Sequence, residues 1–142
     1  MKWIQTHTMN AKNYLLLVVL IINVSTTAFH YFDNFVNYDR YPAPDWITQN
    51  GVYLAWIALT LIGALGYWLY VRNRVWLAYG CLLIYSLTGL TSPVHYRYRT
   101  DEIFSAKMHL FIWCDFSVGL LMLGFVAWSA FVLKEWQRSI AS

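Results

Sequence analysis

A chain of 142 residues that is 59% hydrophobic and only 12% charged, with a mean hydropathy of +0.43, excludes a soluble globular domain and matches a polytopic membrane protein. Each span takes about 20 residues, so residues 1–142 hold a single transmembrane domain. The net charge of +3 is scattered at the ends of apolar segments, as membrane flanks are, which argues against a nucleic-acid partner.

The apolar pattern predicts an all-α, integral membrane four-helix bundle without β-sheet, with spans over 13–35, 46–71, 75–95 and 103–133. The first 28 residues also have the layout of a signal peptide: Lys2 and Lys12, an apolar stretch from Tyr14 to Val24, then the small residues TTA. Polar residues beyond Val24 continue the helical pattern, which favours an uncleaved anchor. On that first helix Asn23, Thr26, Thr27, His30, Asp33, Asn34 and Asn37 recur at steps of three and four, forming one polar stripe on an apolar cylinder. The connection 36–45 carries Pro42 and Pro44, which disfavour helix, and Asp45 stands where it would cap the second helix ahead of an interfacial Trp46.

The second and third spans are separated only by RNR, residues 72–74, which predicts a tight hairpin. The third helix repeats the polar device with Thr88, Thr91, Ser92 and His95, and Pro93 removes a backbone bond at that level. After the short polar link YRYRTDE, the fourth helix offers Glu102, Ser105 and His109 on one face, with Asp115 about 120° away. Most of the aromatic residues fall where interfacial belts are expected, and Trp56 and Trp113 remain as candidate cavity walls. Cys81 and Cys114 sit at different depths, which predicts two free thiols, and His7 lies in the N-terminal tail.

Lysine and arginine set the orientation. With the N-terminus inside, Lys2, Lys12, Arg72, Arg74, Lys134 and Arg138 are cytoplasmic, six against the four outer residues Arg40, Arg97, Arg99 and Lys107. The expectation is a bacterial inner-membrane protein with both termini cytoplasmic. Counting from Lys12, Arg74 and Lys134 at about 1.5 Å per residue puts His30 roughly 27 Å up, Asp115 about 28 Å, Asp33 and His95 about 31 Å, and His109 about 37 Å. The hydrocarbon layer is about 30 Å thick, so these groups share its outer rim.

Two readings follow. In one the stripes are interhelical glue, worth about 0.6 kcal/mol per hydrogen bond, in a structural or accessory subunit that meets a partner chain or a second copy of itself. In the other, ionisable groups within spans mark a functional site: an outward-facing polar pocket between helices one, three and four. His30, Asp33, His109 and Asp115 are its catalytic candidates, with acid–base chemistry on a lipid or isoprenoid from the bilayer as the class of reaction. Asn34, Thr27, Thr91, His95, Trp56, Trp113 and Glu102 are its binding candidates. His30, Asp33, His95 and His109 would also form a three-nitrogen, one-oxygen set for a divalent metal such as zinc. Haem between His30 and His95 has no support beyond their matching depth.

The stretch FHYFDNFVNYDRYP, residues 29–42, followed by three short spans, resembles a group of small bacterial four-span membrane proteins that carry His, then Asp three residues on, then Asn or His at the end of the first helix. The organisation is also similar to the sigma-2 receptor and sterol isomerase superfamily: Asp33 closing the first helix, the Tyr41–Pro42 pair, Trp46 before the second helix, and LLIYSLTGLTSPV in the third. That likeness implies a ligand-binding four-helix fold. In that superfamily a glutamate on the second helix helps to bind or protonate the ligand, whereas no acidic residue stands here between Asp45 and Arg72.

Overall fold

A computed structural model describes residues 11–41, 43–98 and 104–140. Four long helical elements are α1 (Ala11–Val36), α2 (Gln49–Val71), α3 (Val75–Leu90) and α4 (Ala106–Ala127), followed by a short α5 (Glu135–Ile140). No strand occurs among the described residues. Each long helix packs against its neighbour in sequence and α1 closes the ring against α4, while α1 and α3 barely touch across the diagonal. The result is an up-and-down four-helix bundle. Three segments, Ala11–Val36, Gln49–Val71 and Ala106–Val132, are long and apolar enough to cross a membrane.

Local chemistry places the ends. Asn37 donates from its side chain to the Asp33 carbonyl at 3.1 Å and to Asp33 Oδ1 at 2.9 Å, closing α1. The second helix begins three residues later than the sequence suggests, because Thr48, not Asp45, accepts the orphan Gly51 N–H at 3.0 Å. Asp45 and Trp46 instead form a turn closed by Ile47 N–H on Pro44 O. At the other end of α2, Asn73 takes φ 58° and Arg74 N–H reaches back to Leu69 O at 2.9 Å, which stops the helix and starts the hairpin.

The third helix, apolar but shorter than the three candidate spans, differs from the continuous helix expected over 75–95. Its α-helical part ends at Leu90, and Ser92–Arg97 tightens into a 3₁₀ turn with Pro93 in its first turn. That turn carries His95. The fourth helix runs from the Ser105 cap into a π-helical turn, Trp128–Val132, after which Lys134 at φ 49° folds the chain back into α5.

We call the end bearing the α1–α2 link the upper end and the end bearing the α2–α3 hairpin and α5 the lower end. Between them lies a dry middle in which Leu16, Leu20, Leu82 and Met122 are no more than 7% exposed. Gly63 and Gly66 on α2 press on Tyr85 and Leu82 of α3, leaving no room for a Cβ. Large apolar side chains such as Phe29, Leu61, Leu77 and Phe131 point outward.

Candidate functional site

The polar stripe of α1 turns inward as its periodicity requires: Asn23, Thr27, His30, Asp33 and Asn34 are all buried. Opposite them on α4, Asp115 is fully buried. Its height is set by the backbone, since α3 and α4 approach so closely at Gly89 and Gly119 that main chain meets main chain. His30 Nδ1 and Asp115 Oδ2 lie 2.7 Å apart, and the Ser92 hydroxyl donates to the same oxygen at 3.2 Å. Where Asp115 is a carboxylate it can only accept, so the His30 Nδ1–H is the donor of this pair. Among the described residues neither His30 Nε2 nor Asp115 Oδ1 has a hydrogen-bond partner.

The pair is boxed by rings and amides. His95 stands edge-on to His30 with centroids 5.7 Å apart, and Tyr41, folded back from the α1–α2 link, lies 5.6 Å from His30 and 5.2 Å from His95. Asn34 donates its amide to His95 Nε2 at 3.3 Å. One turn above, Asp33 accepts from Lys107 at 2.5 Å and from the Tyr41 hydroxyl at 2.8 Å. Burial first, and then the hydrogen bond to Asp33, push the Tyr41 phenol well above the ordinary tyrosine range. One turn below, Thr27 accepts from Trp56 of α2 at 3.1 Å, and Asn23 donates to the Val118 carbonyl of α4 at 2.7 Å.

A cavity of about 350 Å³ opens beside this cluster, between the upper ends of α1, α2 and α3 and beneath the α1–α2 link. Its apolar wall is formed by Trp46, Ile47, Val52, Ala55 and Val94, and its polar wall by Asn34, Thr88, Thr91, Ser92 and His95. Ser92 belongs to both structures: it lines the cavity and hydrogen-bonds Asp115. This position differs from the one expected. The cavity lies on the α2 side, because α1 and α4 are zipped shut by His30–Asp115 and Asn23–Val118.

Of the sequence candidates, His30, Asp33, Asn34, His95, Thr27 and Asp115 are gathered at the upper end, and Thr91 lines the cavity. His109 is not among them. It lies on the exposed face of α4, 2.8 Å from the Tyr96 hydroxyl and stacked on that ring, because six helical residues turn it about 120° away from Asp115. Trp113 is 52% exposed and packs on Tyr96 and Phe116 away from this cavity, and Trp56 serves as a hydrogen-bond donor to Thr27. Glu102 lies outside the described residues, as do His7 and Pro42.

The proposed metal set does not assemble. Asp33 is occupied by Lys107, Asn37 and Tyr41, His30 Nδ1 by Asp115, and His95 Nε2 by Asn34. Among the described residues no three His, Cys, Asp or Glu side chains form a group able to hold a metal ion. With Nε2 of His95 committed to Asn34, His30 and His95 do not present a pair of open nitrogens to a haem iron either. Cys81 and Cys114 are free thiols.

Sequence reasoning missed a second polar cluster at the lower end. Glu135, at 7% exposure, accepts from Lys12 of α1, from Tyr70 of α2 and from Ser129 of the π-helical turn, and Ser129 lies 2.7 Å from the Tyr79 hydroxyl of α3. Glu135 reads in sequence as a solvated tail residue. The signal that marks it is the break at Lys134, which returns the chain to the bundle. No family model, curated protein or solved structure matches the chain.

Proposed function

We infer that this is a bacterial inner-membrane protein with both termini cytoplasmic, whose outward-facing pocket binds a small amphipathic molecule such as a lipid or isoprenoid. The observation that carries this reading is a cavity at the upper end whose polar wall shares Ser92 with the buried His30–Asp115 pair. A mostly apolar cleft with a few convergent polar groups is the ordinary form of a small-ligand site. An ionisable pair kept inside an apolar bundle is costly unless it serves something. His30 and Asp115, one hydrogen bond behind Ser92 of the cavity wall, give the site a candidate acid–base pair.

The test is to purify the protein from its native membrane, extract bound lipids and identify them by mass spectrometry, beside an Ala55→Trp variant that fills the cavity. A stoichiometric amphiphile present in the wild type and lost from the variant is the expected result. Reporter fusions at each terminus and in the α1–α2 link check the orientation.

A second reading rests on a specific observation. The α1–α4 seam is closed by side-chain hydrogen bonds from His30 and Asn23, which is what interhelical glue in an accessory subunit would show. Co-purification of a stoichiometric partner chain, with no bound amphiphile, would favour it.

A further inference from the structure

Below the level of the site, the outward face of the α1–α4 seam carries a groove of about 390 Å³. Leu15 and Val19 of α1 form one side, and Ser117, Leu121, Gly124 and Trp128 of α4 form the other. The α4 residues recur at steps of three and four, so they share one face of the helix. A Cβ at Gly124 would meet nothing within 4 Å, and the absent side chain keeps the groove open there. The lining has two polar side-chain groups. The Ser117 hydroxyl donates to the Trp113 carbonyl of its own helix at 2.8 Å, and the Trp128 indole N–H stands at the lower mouth, where an amphipathic ring has water and headgroups within reach.

Height identifies the occupant. The Asn23–Val118 hydrogen bond marks the top of the groove. Counted from it, Trp128 lies about 15 Å lower on α4 and Lys12 about 16 Å lower on α1. That drop equals one leaflet of a hydrocarbon layer about 30 Å thick, so in a bilayer the groove has the length of one acyl chain. A helix of a second copy fits less well. Close helix packing in lipid uses small residues four apart, whereas Leu120 and Leu121 stand between Ser117 and Gly124.

The lower end supplies the sign of the head. Among the described side chains it carries Lys12, Arg72, Arg74 and Lys134 against Glu135 alone. Lys12 is paired with Glu135, which leaves Arg72, Arg74 and Lys134 in excess. Lys134, next in sequence to Glu135, is exposed. Attraction of one such residue to an anionic lipid surface is worth about fivefold in binding.

Resting on the membrane reading above but not on the upper pocket, we propose that this groove holds one acyl chain of an anionic phospholipid from the leaflet at the lower end, with its phosphate head beside Lys134 and Trp128. In the orientation given above, that leaflet is the cytoplasmic one.

Native mass spectrometry of the full chain in mild detergent, titrated with a phosphatidylglycerol and a phosphatidylcholine of the same acyl chains, tests this. One phosphatidylglycerol per chain is expected to bind at least about fivefold more tightly than the phosphatidylcholine. Gly124→Phe fills the groove without displacing a neighbour, and should weaken both lipids at least about fivefold through lost packing contacts. Lys134→Asn keeps a residue that tolerates the left-handed backbone at φ 49°, and should weaken the phosphatidylglycerol alone, by about fivefold. Ala55→Trp in the upper cavity should change neither lipid. Equal affinity for the two lipids, no loss in Gly124→Phe, or a dimer in place of the lipid adduct overturns the proposal. If the chain stays in membranes washed at alkaline pH yet binds no lipid in a manner sensitive to Gly124→Phe, the groove assignment falls and the membrane reading stands. Release of the chain by that wash overturns both.

Discussion

Gly89 of α3 and Asp115 of α4 meet backbone to backbone: a Cβ built on Gly89 would stand 2.1 Å from the Asp115 carbonyl oxygen. No side-chain rotation relieves such a clash, so the two helices would have to part at the level of the site. Gly89→Ala should therefore cost more than about 2 kcal/mol and loosen the His30–Asp115 contact. Gly124→Ala is the control, because nothing lies within 4 Å of the added methyl, and it should gain up to about 1 kcal/mol from helix propensity. Unfolding in mixed micelles by denaturing detergent checks both.

The His30–Asp115 pair and the Asn23–Val118 bond both join α1 to α4, yet they should differ in cost. His30→Ala leaves a fully buried carboxylate facing only Ser92, a loss of about 3 kcal/mol. Asn23→Leu removes one hydrogen bond but also removes an amide oxygen that has no partner, so the loss should stay below about 1 kcal/mol. A double-mutant cycle of His30→Ala with Asp115→Ala should show a coupling of at least about 1 kcal/mol, and additive losses would mean that the contact does not form.

Tyr41 lies in the α1–α2 link, and burial together with its bond to Asp33 raises its phenol above the ordinary value of 10.0. In the unfolded chain the phenol ionises near that value, whereas in the folded protein it stays neutral to higher pH. The folded state then holds the extra proton, so this contribution is complete below pH 10.0 and is lost as the pH climbs beyond it. Tyr41→Phe should flatten the alkaline fall in thermal stability relative to the wild type, a difference readable by circular dichroism between about pH 9 and pH 11.5.

At the lower end one carboxylate collects donors from α1, α2 and the π-helical turn. Glu135→Ala leaves the buried Tyr70 and Ser129 hydroxyls without their acceptor, a cost of about 1–3 kcal/mol, and should expose the 133–140 segment to proteolysis. The Lys12 side chain is 30% exposed, so Lys12→Ala should cost less than about 1 kcal/mol. Limited proteolysis with mass spectrometry separates the two.

Much of this architecture was legible in the sequence. The polar residues of the first helix recur at helical spacing, so their common face could be assigned, and five of them are buried together. Asp115 and His30, distant in sequence, were matched in depth by counting residues from basic anchors, and they meet. What spacing could not supply was rotation about the α4 axis: it ranked His109 with Asp115, although only one of the two faces inward. Nor could it foresee the cavity lying toward α2, since that depends on which helix pair closes more tightly, and α1 is zipped to α4 by the same polar stripe that was expected to line the pocket. Glu135 escaped because a left-handed Lys134 is a property of the folded chain and leaves no mark on the hydropathy profile.

The leucine and methionine side chains at mid-height give the molecule two polar poles and an apolar waist. Among the described residues, the buried side chains of Leu16, Leu20, Leu82 and Met122 stand between the His30–Asp115 pair and the Glu135 cluster. A ligand of the proposed upper pocket is therefore expected to leave by the opening through which it entered, with the Glu135 cluster beyond the barrier.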